Sequence, residues 1–169
     1  MTLRLFIPRD AGAVAVGADN VALALEQAAA NRSIQLEVVR TGSRGLYWLE
    51  PMVEVATPAG RIAFGPVRVS DVASLLDAVT GNGQHPLRLG LADEIPWLKR
   101  QTRLTFARCG VTDPRSVDDY IAHGGYRGLE RALTLGTDAI LAEVTASGER
   151  IEQRWNIGNT DGTECDAAD

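Results

Sequence analysis

The sequence predicts an α/β domain with a mixed sheet, followed by a short helical extension. Apolar segments with strand and helix periodicity alternate as far as Gly81, whereas only helical periodicity follows Pro114. Of the 169 residues, 45% are hydrophobic and 23% are charged, which is typical of one globular domain with an extension. A chain of this size buries a core without disulfides or a structural metal.

The first segments indicate a βαβ unit. Alternating apolar residues predict a half-buried strand, and apolar residues spaced by three and four predict the buried face of a helix. The predicted elements are, in order, a strand over 2–7, a loop over 9–18, a helix capped by Asp19 or Asn20 that ends near Asn31, and a strand over 34–39. Pro8 ends the first strand because it cannot donate to a central ladder.

A hairpin and a second helix follow. Two short apolar runs, 51–56 and 61–65, flank a turn-forming tetrapeptide at 57–60, which predicts antiparallel strands. Ser70 is the predicted cap of the helix and Gly81 its stop. The apolar face of that helix carries Val72, Leu75, Leu76 and Val79. The order strand, helix, strand, strand, strand, helix is the outline of a thioredoxin-like domain that closes near Gly81.

The second half of the chain is predicted to be a connector with short helices. Glycines and a proline within 81–86 favour a boundary, so we predict a thioredoxin-like domain over 1–84, a connector and helical segment over 85–148, and an acidic, disordered tail over 149–169. The predicted helices begin at Ser116, with Asp119 at capping-box spacing, cover 126–133, and run from Thr137 to Gly148.

Charge and hydropathy exclude several classes of partner. The net charge is -5 and the isoelectric point about 5.1, which argues against nucleic acid as a partner because phosphate neutralisation needs a basic surface. From residue 149 onward six acidic and two basic residues give a net charge of -4. No run of apolar residues is long enough to insert in a membrane, and the first residues do not form a secretory signal, so we expect a cytoplasmic location.

Motifs in the second half resemble a known family. The stretch 108–114, reading Arg-Cys-Gly-Val-Thr-Asp-Pro, followed by 116–122, Gly124-Gly125-Tyr126 and 129–133, resembles the segment before the flavin site in NADH-binding flavoprotein subunits. These include the complex I subunit and, as the best match, the beta subunit of NAD-dependent formate dehydrogenase. After Gly148 the sequence departs from the family's glycine-rich phosphate loop. The resemblance therefore implies a truncated front part, with FMN, NAD and iron-sulfur clusters expected only in the full-length family and no cofactor in this chain.

The first domain resembles thioredoxin-like ferredoxins that have lost their cluster. The segment 41–53 is similar to the ferredoxin loop in which a Cys-x-x-x-Cys pair precedes Glu-Pro and an apolar strand, but Ser43 and Tyr47 occupy the two cysteine positions. The loop after the first strand has Pro8, Arg9 and Asp10 where the family has its second cysteine pair. Without four thiolates, we expect no iron-sulfur cluster here.

The polar residues do not form a recognisable catalytic motif. Cys109 and Cys165 are not a Cys-x-x-Cys pair, so thioredoxin-type thiol chemistry is not expected. His85 and His123 follow or precede loops, where surface placement is the common case, and Asp118 with Asp119 complements a helix dipole. We expect no catalytic or metal-binding residue in this chain, and whether it takes part in catalysis within an assembly is left open.

The residues favoured for function are apolar and aromatic side chains that could contact a partner subunit. Aromatic and aliphatic anchors dominate protein interfaces. The candidates are Trp97, Leu98, Leu104, Phe106, Tyr47 and Trp48. The hypothesis is a subunit-docking module of a redox complex, whose partners are other formate dehydrogenase or diaphorase subunits. The alternative is a freestanding thioredoxin-like binding domain with no redox role.

Overall fold

The structure, a computed structural model, describes residues 2–81 and 83–148. The chain divides into two compact units, Met1–His123 and Gly124–Asp169. The second unit is described only as far as Gly148, so the predicted tail over 149–169 lies outside the described residues. The predicted domain boundaries at 84 and 148 stay predictions.

The first unit contains a five-stranded mixed sheet in the order β2-β1-β3-β4-β5. The strands are β1 (Leu3–Pro8), β2 (Leu36–Thr41), β3 (Val53–Thr57), β4 (Gly60–Phe64) and β5 (Arg88–Leu91). Strands β1 and β2 are parallel, and the other three pairings are antiparallel. The helices of this unit are α1 (Ala11–Ala15), α2 (Ala18–Asn31), α3 (Val72–Thr80), α4 (Pro96–Lys99) and α5 (Val117–Ala122).

One face of the sheet packs against α2 and α3. Alternate strand residues point to this face because side chains in a strand have a period of two. They include Leu5, Ile7, Val53, Val55 and Phe64, which form one core with Val21 and Leu25 of α2 and Leu75 and Leu76 of α3. The predicted apolar face of α3 is thus confirmed. At the outer surface of this layer, Arg32 at the end of α2 forms an ion pair with Asp77 of α3 at 2.6 Å.

The opposite face of the sheet is covered by irregular chain and short helices. Its apolar cluster consists of Leu46, Met52, Ala63, Ala92, Ile95 and Leu98. Phe6, Glu54 and Ala63 occupy neighbouring positions on adjacent strands of this face. A carboxylate therefore lies in the middle of a buried sheet surface, and the segments that cover it determine the candidate site.

The predicted α/β class with a mixed sheet and the order of its first six elements are confirmed. The structure adds a strand, β5, after the predicted end of the sheet. It also places α1 inside the predicted loop over 9–18, where the Asp10 carboxylate accepts hydrogen bonds from Gly12 N and Ala13 N at 3.0 and 3.3 Å. Helix α2 begins one residue before the predicted caps, after Gly17 at φ +102°. Strand β2 lies two residues later than predicted.

Short helices dominate the remaining chain. Ser116 caps α5 as predicted, since its Oγ accepts from Asp119 N at 3.1 Å, but the Asp119 carboxylate accepts from Asp113 N rather than closing a capping box. The second unit contains α6 (Arg127–Thr134) and α7 (Thr137–Ser147), and Gly148 ends α7 at φ +65°. Within the described residues no helix combines the length and apolarity needed to cross a membrane.

Candidate functional site: the loop-covered face of the sheet

The two loops that resemble the cluster loops of ferredoxins do meet in this structure. A Cβ placed on Gly12 in α1 would lie 3.5 Å from the Tyr47 ring. The Ser43 hydroxyl is turned into its own loop, where it donates to the Glu50 carboxylate at 2.9 Å and accepts from Gly45 N at 2.9 Å. Tyr47 and Ser43 therefore stabilise the loop by packing and hydrogen bonding.

The residues at this junction do not fit a [2Fe–2S] cluster. Such clusters are held by thiolates or, in one variant, by thiolates with two histidines. Ser43 and Tyr47, at the positions that hold cysteine in the ferredoxin loop, present a hydroxyl and a phenol, and the first loop presents the Asp10 carboxylate. In the described part of the chain, no group of three or more His, Cys, Asp and Glu residues could hold a metal ion. We derive no redox step through these residues.

Two carboxylates remain partly desolvated at the junction. Oδ2 of Asp10 is buried without a hydrogen-bond partner. The Glu50 carboxylate is buried, and it accepts from Met52 N at 2.9 Å as well as from Ser43. Desolvation raises the pKa of Glu50 above its ordinary value of 4.5, against the opposing effect of these two hydrogen bonds.

A buried ion pair dominates the chemistry of this face. Arg44 Nε and Nη2 donate to the two oxygens of Glu54 at 2.5 and 2.9 Å, which is the bidentate geometry of strong guanidinium–carboxylate pairs. The two side chains are only 6% and 4% exposed. Arg44 Nη1 also donates to Asp93 at 3.0 Å. Burial acts to lower the pKa of Arg44, but the contacts with Glu54 and Asp93 outweigh it and raise that pKa.

A second arginine, Arg61, lies near the same carboxylate and binds the backbone of residues 110 and 111. Arg61 lies 3.6 Å from Glu54, stacks over the Phe6 ring at 3.3 Å, and donates to the backbone oxygens of Gly110 and Val111 at 3.2 and 2.7 Å. Burial lowers the pKa of Arg61. The resemblance motif around 108–114 is therefore held against the first unit's own sheet.

Gly110 permits this close approach. Its φ is +79°, and a Cβ at this position would lie 2.2 Å from Arg44 Cγ and 3.0 Å from Arg44 N. Arg103 adds two longer contacts, from its guanidinium to the backbone oxygens of Cys109 and Arg44 at 3.4 and 3.3 Å. The segment over 109–111 is thus fixed by guanidinium groups that donate to its carbonyl oxygens.

Five of the six predicted partner-contacting side chains are exposed. Tyr47, Trp48 and Trp97 are 67%, 59% and 56% exposed, and the two tryptophan rings meet edge to face with centroids 5.8 Å apart. Leu104 and Phe106 are 82% and 63% exposed. We call Tyr47, Trp48, Trp97, Leu104 and Phe106 the aromatic face.

Leu98, the sixth candidate, is placed differently. It is 6% exposed and belongs to the apolar cluster on this face of the sheet. Its neighbour Trp97 points outward from the same short helix, α4. The structure thus brings Trp97 and Trp48 together from distant parts of the chain, while Leu98 supports α4 from below.

The hydrogen bonds of the two histidines match structural roles. His85 Nδ1 accepts from Leu87 N at 3.2 Å, so the ring proton is on Nε2, which lies 3.1 Å from Ser74 Oγ. Ser74 donates its own proton to Asp71 O at 3.0 Å. His123 lies 2.9 Å from the backbone oxygen of Asp119 at the end of α5.

Sequence comparison gives one short similarity. No protein-family model matches the chain. The chain is 44% identical over 52 residues to the NADP-reducing hydrogenase subunit HndC of Solidesulfovibrio fructosivorans, a match that covers 31% of this chain and 11% of that protein. The chain thus spans about a tenth of that relative's length.

Two solved structures of a thioredoxin-like [2Fe–2S] ferredoxin from Aquifex aeolicus are similar to about half of this chain. One is 18% identical with a TM-score of 0.45, covering 54% of this chain and 93% of the ferredoxin. The wild-type ferredoxin in another crystal structure is 18% identical with a TM-score of 0.44, covering 53% and 97%.

Proposed function

We propose that this chain is the front segment of a diaphorase-type NADH-binding flavoprotein subunit and that it docks other subunits of a redox complex. The observation that carries the proposal is the aromatic face, whose Trp48 and Trp97 rings are in contact. The similarity to HndC supports the subunit class. Within that class, the motif resemblance favours the beta subunit of NAD-dependent formate dehydrogenase, in the cytoplasm.

The aromatic face has the composition of a docking surface. Exposed tryptophan and tyrosine side chains bury large areas on association and are enriched among residues that dominate binding energy. Trp48 and Trp97 already contact each other, so their side chains lose less conformational entropy when a partner binds than freely rotating side chains would. The part of the surface formed by Trp48 and Trp97 is therefore preorganised.

The proposed role in this chain is binding rather than electron transfer. The junction where ferredoxins hold their cluster presents oxygen ligands, and the face beside it is organised by guanidinium groups. We accordingly assign no FMN, NAD or iron-sulfur site to the chain. Flavin and nicotinamide chemistry would belong to the remainder of a full-length subunit or to partner subunits.

A second candidate function is a freestanding thioredoxin-like binding domain without a redox role. The observation that favours it is that both faces of the sheet have their own apolar clusters, so the first unit has a core that does not depend on another subunit. The same aromatic face would then bind a partner outside any redox complex.

Native mass spectrometry of the affinity-tagged chain purified from its own cells separates the two candidates. Under the first proposal the chain co-purifies with formate dehydrogenase or diaphorase subunits, and Trp97→Ala reduces their recovery. Leu23→Ala, which truncates a 53% exposed side chain on the opposite layer, is the matched control and should not change it. Recovery of partners outside any redox complex, lost on Trp97→Ala, would establish the second candidate. Unchanged recovery in Trp97→Ala would refute the aromatic face as the docking surface.

A further inference from the structure

A basic strip runs along the segment that carries the aromatic face. Between Ile95 and Thr112 the chain has four cationic residues, Lys99, Arg100, Arg103 and Arg108, and no Asp or Glu. The whole chain has a net charge of -5, so this local excess opposes the overall charge. A cationic stretch interleaved with Trp97, Leu104 and Phe106 selects partners by charge as well as by apolar contact.

Two of these cations have no carboxylate partner within the first unit as described. Arg103 binds only neutral backbone oxygens, at 3.3 and 3.4 Å. Arg100 is exposed and forms no ion pair with any described residue. Lys99, in contrast, forms an ion pair with Glu94. The positive potential of the strip therefore comes chiefly from Arg100 and Arg103.

A pocket opens next to two of these charges, those of Lys99 and Arg103. It has a volume of about 300 Å³ and is lined by Arg44, Asp93, Leu98, Lys99, Gln101 and Arg103. One lining residue, Asp93, is acidic and accepts a hydrogen bond from Arg44, and Lys99, Gln101 and Arg103 are the further donors that line the pocket. A carboxylate entering the pocket would meet charge-assisted donors, while apolar neighbours of that carboxylate could contact Trp97.

We infer that the occupant of this surface is an acidic, apolar-containing segment of a partner protein, one of whose carboxylates enters the pocket lined by Lys99, Gln101 and Arg103. The inference rests on the docking function proposed above and specifies the chemistry of the partner. Nucleic acid fits less well, because the acidic chain as a whole repels a polyphosphate and the basic strip covers one small region.

Nuclear magnetic resonance titration of the full chain, labelled with ¹⁵N, tests the inference. The probe is a short synthetic peptide of Glu, Leu and Phe, compared with a matched peptide that has Lys at every Glu position and with a short oligothymidine. The acidic peptide should shift the indole signals of Trp48 and Trp97 and the amide signals of 99–103. Binding should weaken at about 0.5 M salt, where the screening length falls to a few ångström.

Charge-removing variants give the quantitative test. Arg100→Gln and Arg103→Gln should each raise the dissociation constant of the acidic peptide about twofold to fivefold at low salt, the range for exposed charge pairs. Arg32→Gln removes the same charge from the layer on the opposite face of the sheet and should not change it. The Arg100 side chain is exposed and forms no ion pair with a described residue, so its variant remains informative if Arg103→Gln disturbs the loop.

Each remaining outcome overturns a distinct statement. Equal or tighter binding of the lysine peptide, or no binding of the acidic one, would refute the acidic partner while leaving the docking proposal to its own test. Tighter binding of oligothymidine would replace the protein partner with nucleic acid. Binding that appears only after the carboxylates of 149–169 are changed to amides would make the chain's own acidic segment the occupant. Binding that depends on Arg103 but persists in Trp97→Ala would refute the aromatic face alone.

Discussion

Replacing Glu54 with glutamine should lower the free energy of unfolding of the first unit far more than any substitution of an exposed charged residue does. Glu54→Gln keeps the shape of the side chain but removes the negative charge between the buried guanidinium group of Arg44 at 2.5 Å and the partly buried one of Arg61 at 3.6 Å. Removing one partner of a buried ion pair typically costs about 3–5 kcal/mol because the other charge is left uncompensated. Asp93 still contacts Arg44, which places the expected loss toward the lower end of that range.

Urea unfolding, followed by circular dichroism, measures the loss. The expected result is a free energy of unfolding lowered by about 3 kcal/mol with an unchanged denaturant slope. Glu37→Gln is the matched control, because Glu37 pairs with Arg4 at 3.2 Å but both side chains are about half exposed, so its expected cost is below about 1 kcal/mol. A double variant, Arg44→Met with Glu54→Met, should recover part of the loss. Equal effects of Glu54→Gln and Glu37→Gln would refute the reasoning that the buried pair organises this face.

Three further predictions concern the same face. Gly110→Ala should lower the free energy of unfolding by more than Gly45→Ala does. Both glycines have positive φ, but only at Gly110 would the added Cβ lie within 3.0 Å of other atoms, those of Arg44. Equal losses measured by urea unfolding would contradict this close approach. Leu98→Ala should cost about 2–5 kcal/mol, whereas Trp97→Ala should cost about 1 kcal/mol or less, because only the first side chain is buried; calorimetry of both variants checks the order. Burial raises the pKa of Glu50, so its contribution to stability is complete below its ordinary value of 4.5 and is lost as pH rises through the folded-state pKa. Glu50→Gln should therefore gain stability relative to the unmodified chain as pH rises above about 4.5, and a difference in urea midpoints that does not change with pH would refute that sign.

The main elements of the fold follow from local patterns, and the missed elements are those with weak local signals. The helix at Val72–Thr80 and the hairpin of β3 and β4 were predictable because periodicity and turn residues agree there. Strand β5 has four residues, one of them Gly90 at φ +91°, and its register with β4 is irregular, so alternation is too short to detect. Its strand character depends on the free edge of β4, which is tertiary information.

The candidate site was predictable as a set of side chains but not as an arrangement. Aromatic residues at Trp48 and Trp97 stand out in the sequence, but their edge-to-face contact joins positions that only the sheet brings together. The buried pair was missed because arginine and glutamate are ordinarily solvent-exposed. One signal was present: Glu54 interrupts an apolar strand, between Val53 and Val55, at a position that faces away from the helical layer.

That interrupted strand explains why this face is covered by irregular chain instead of by a helix with an apolar stripe. A buried carboxylate needs hydrogen-bonded positive charge, which aliphatic helix residues cannot supply. Arg44 reaches Glu54 from the loop before β3, and Arg61 reaches it from β4 while also binding the carbonyl oxygens of Gly110 and Val111. Satisfying one carboxylate therefore fixes the segment that leads from Trp97 to the 108–114 motif. The charge that is unfavourable in an isolated strand thus fixes the segment that carries part of the aromatic face, and Arg100 and Arg103 of that segment form no ion pair with a described residue.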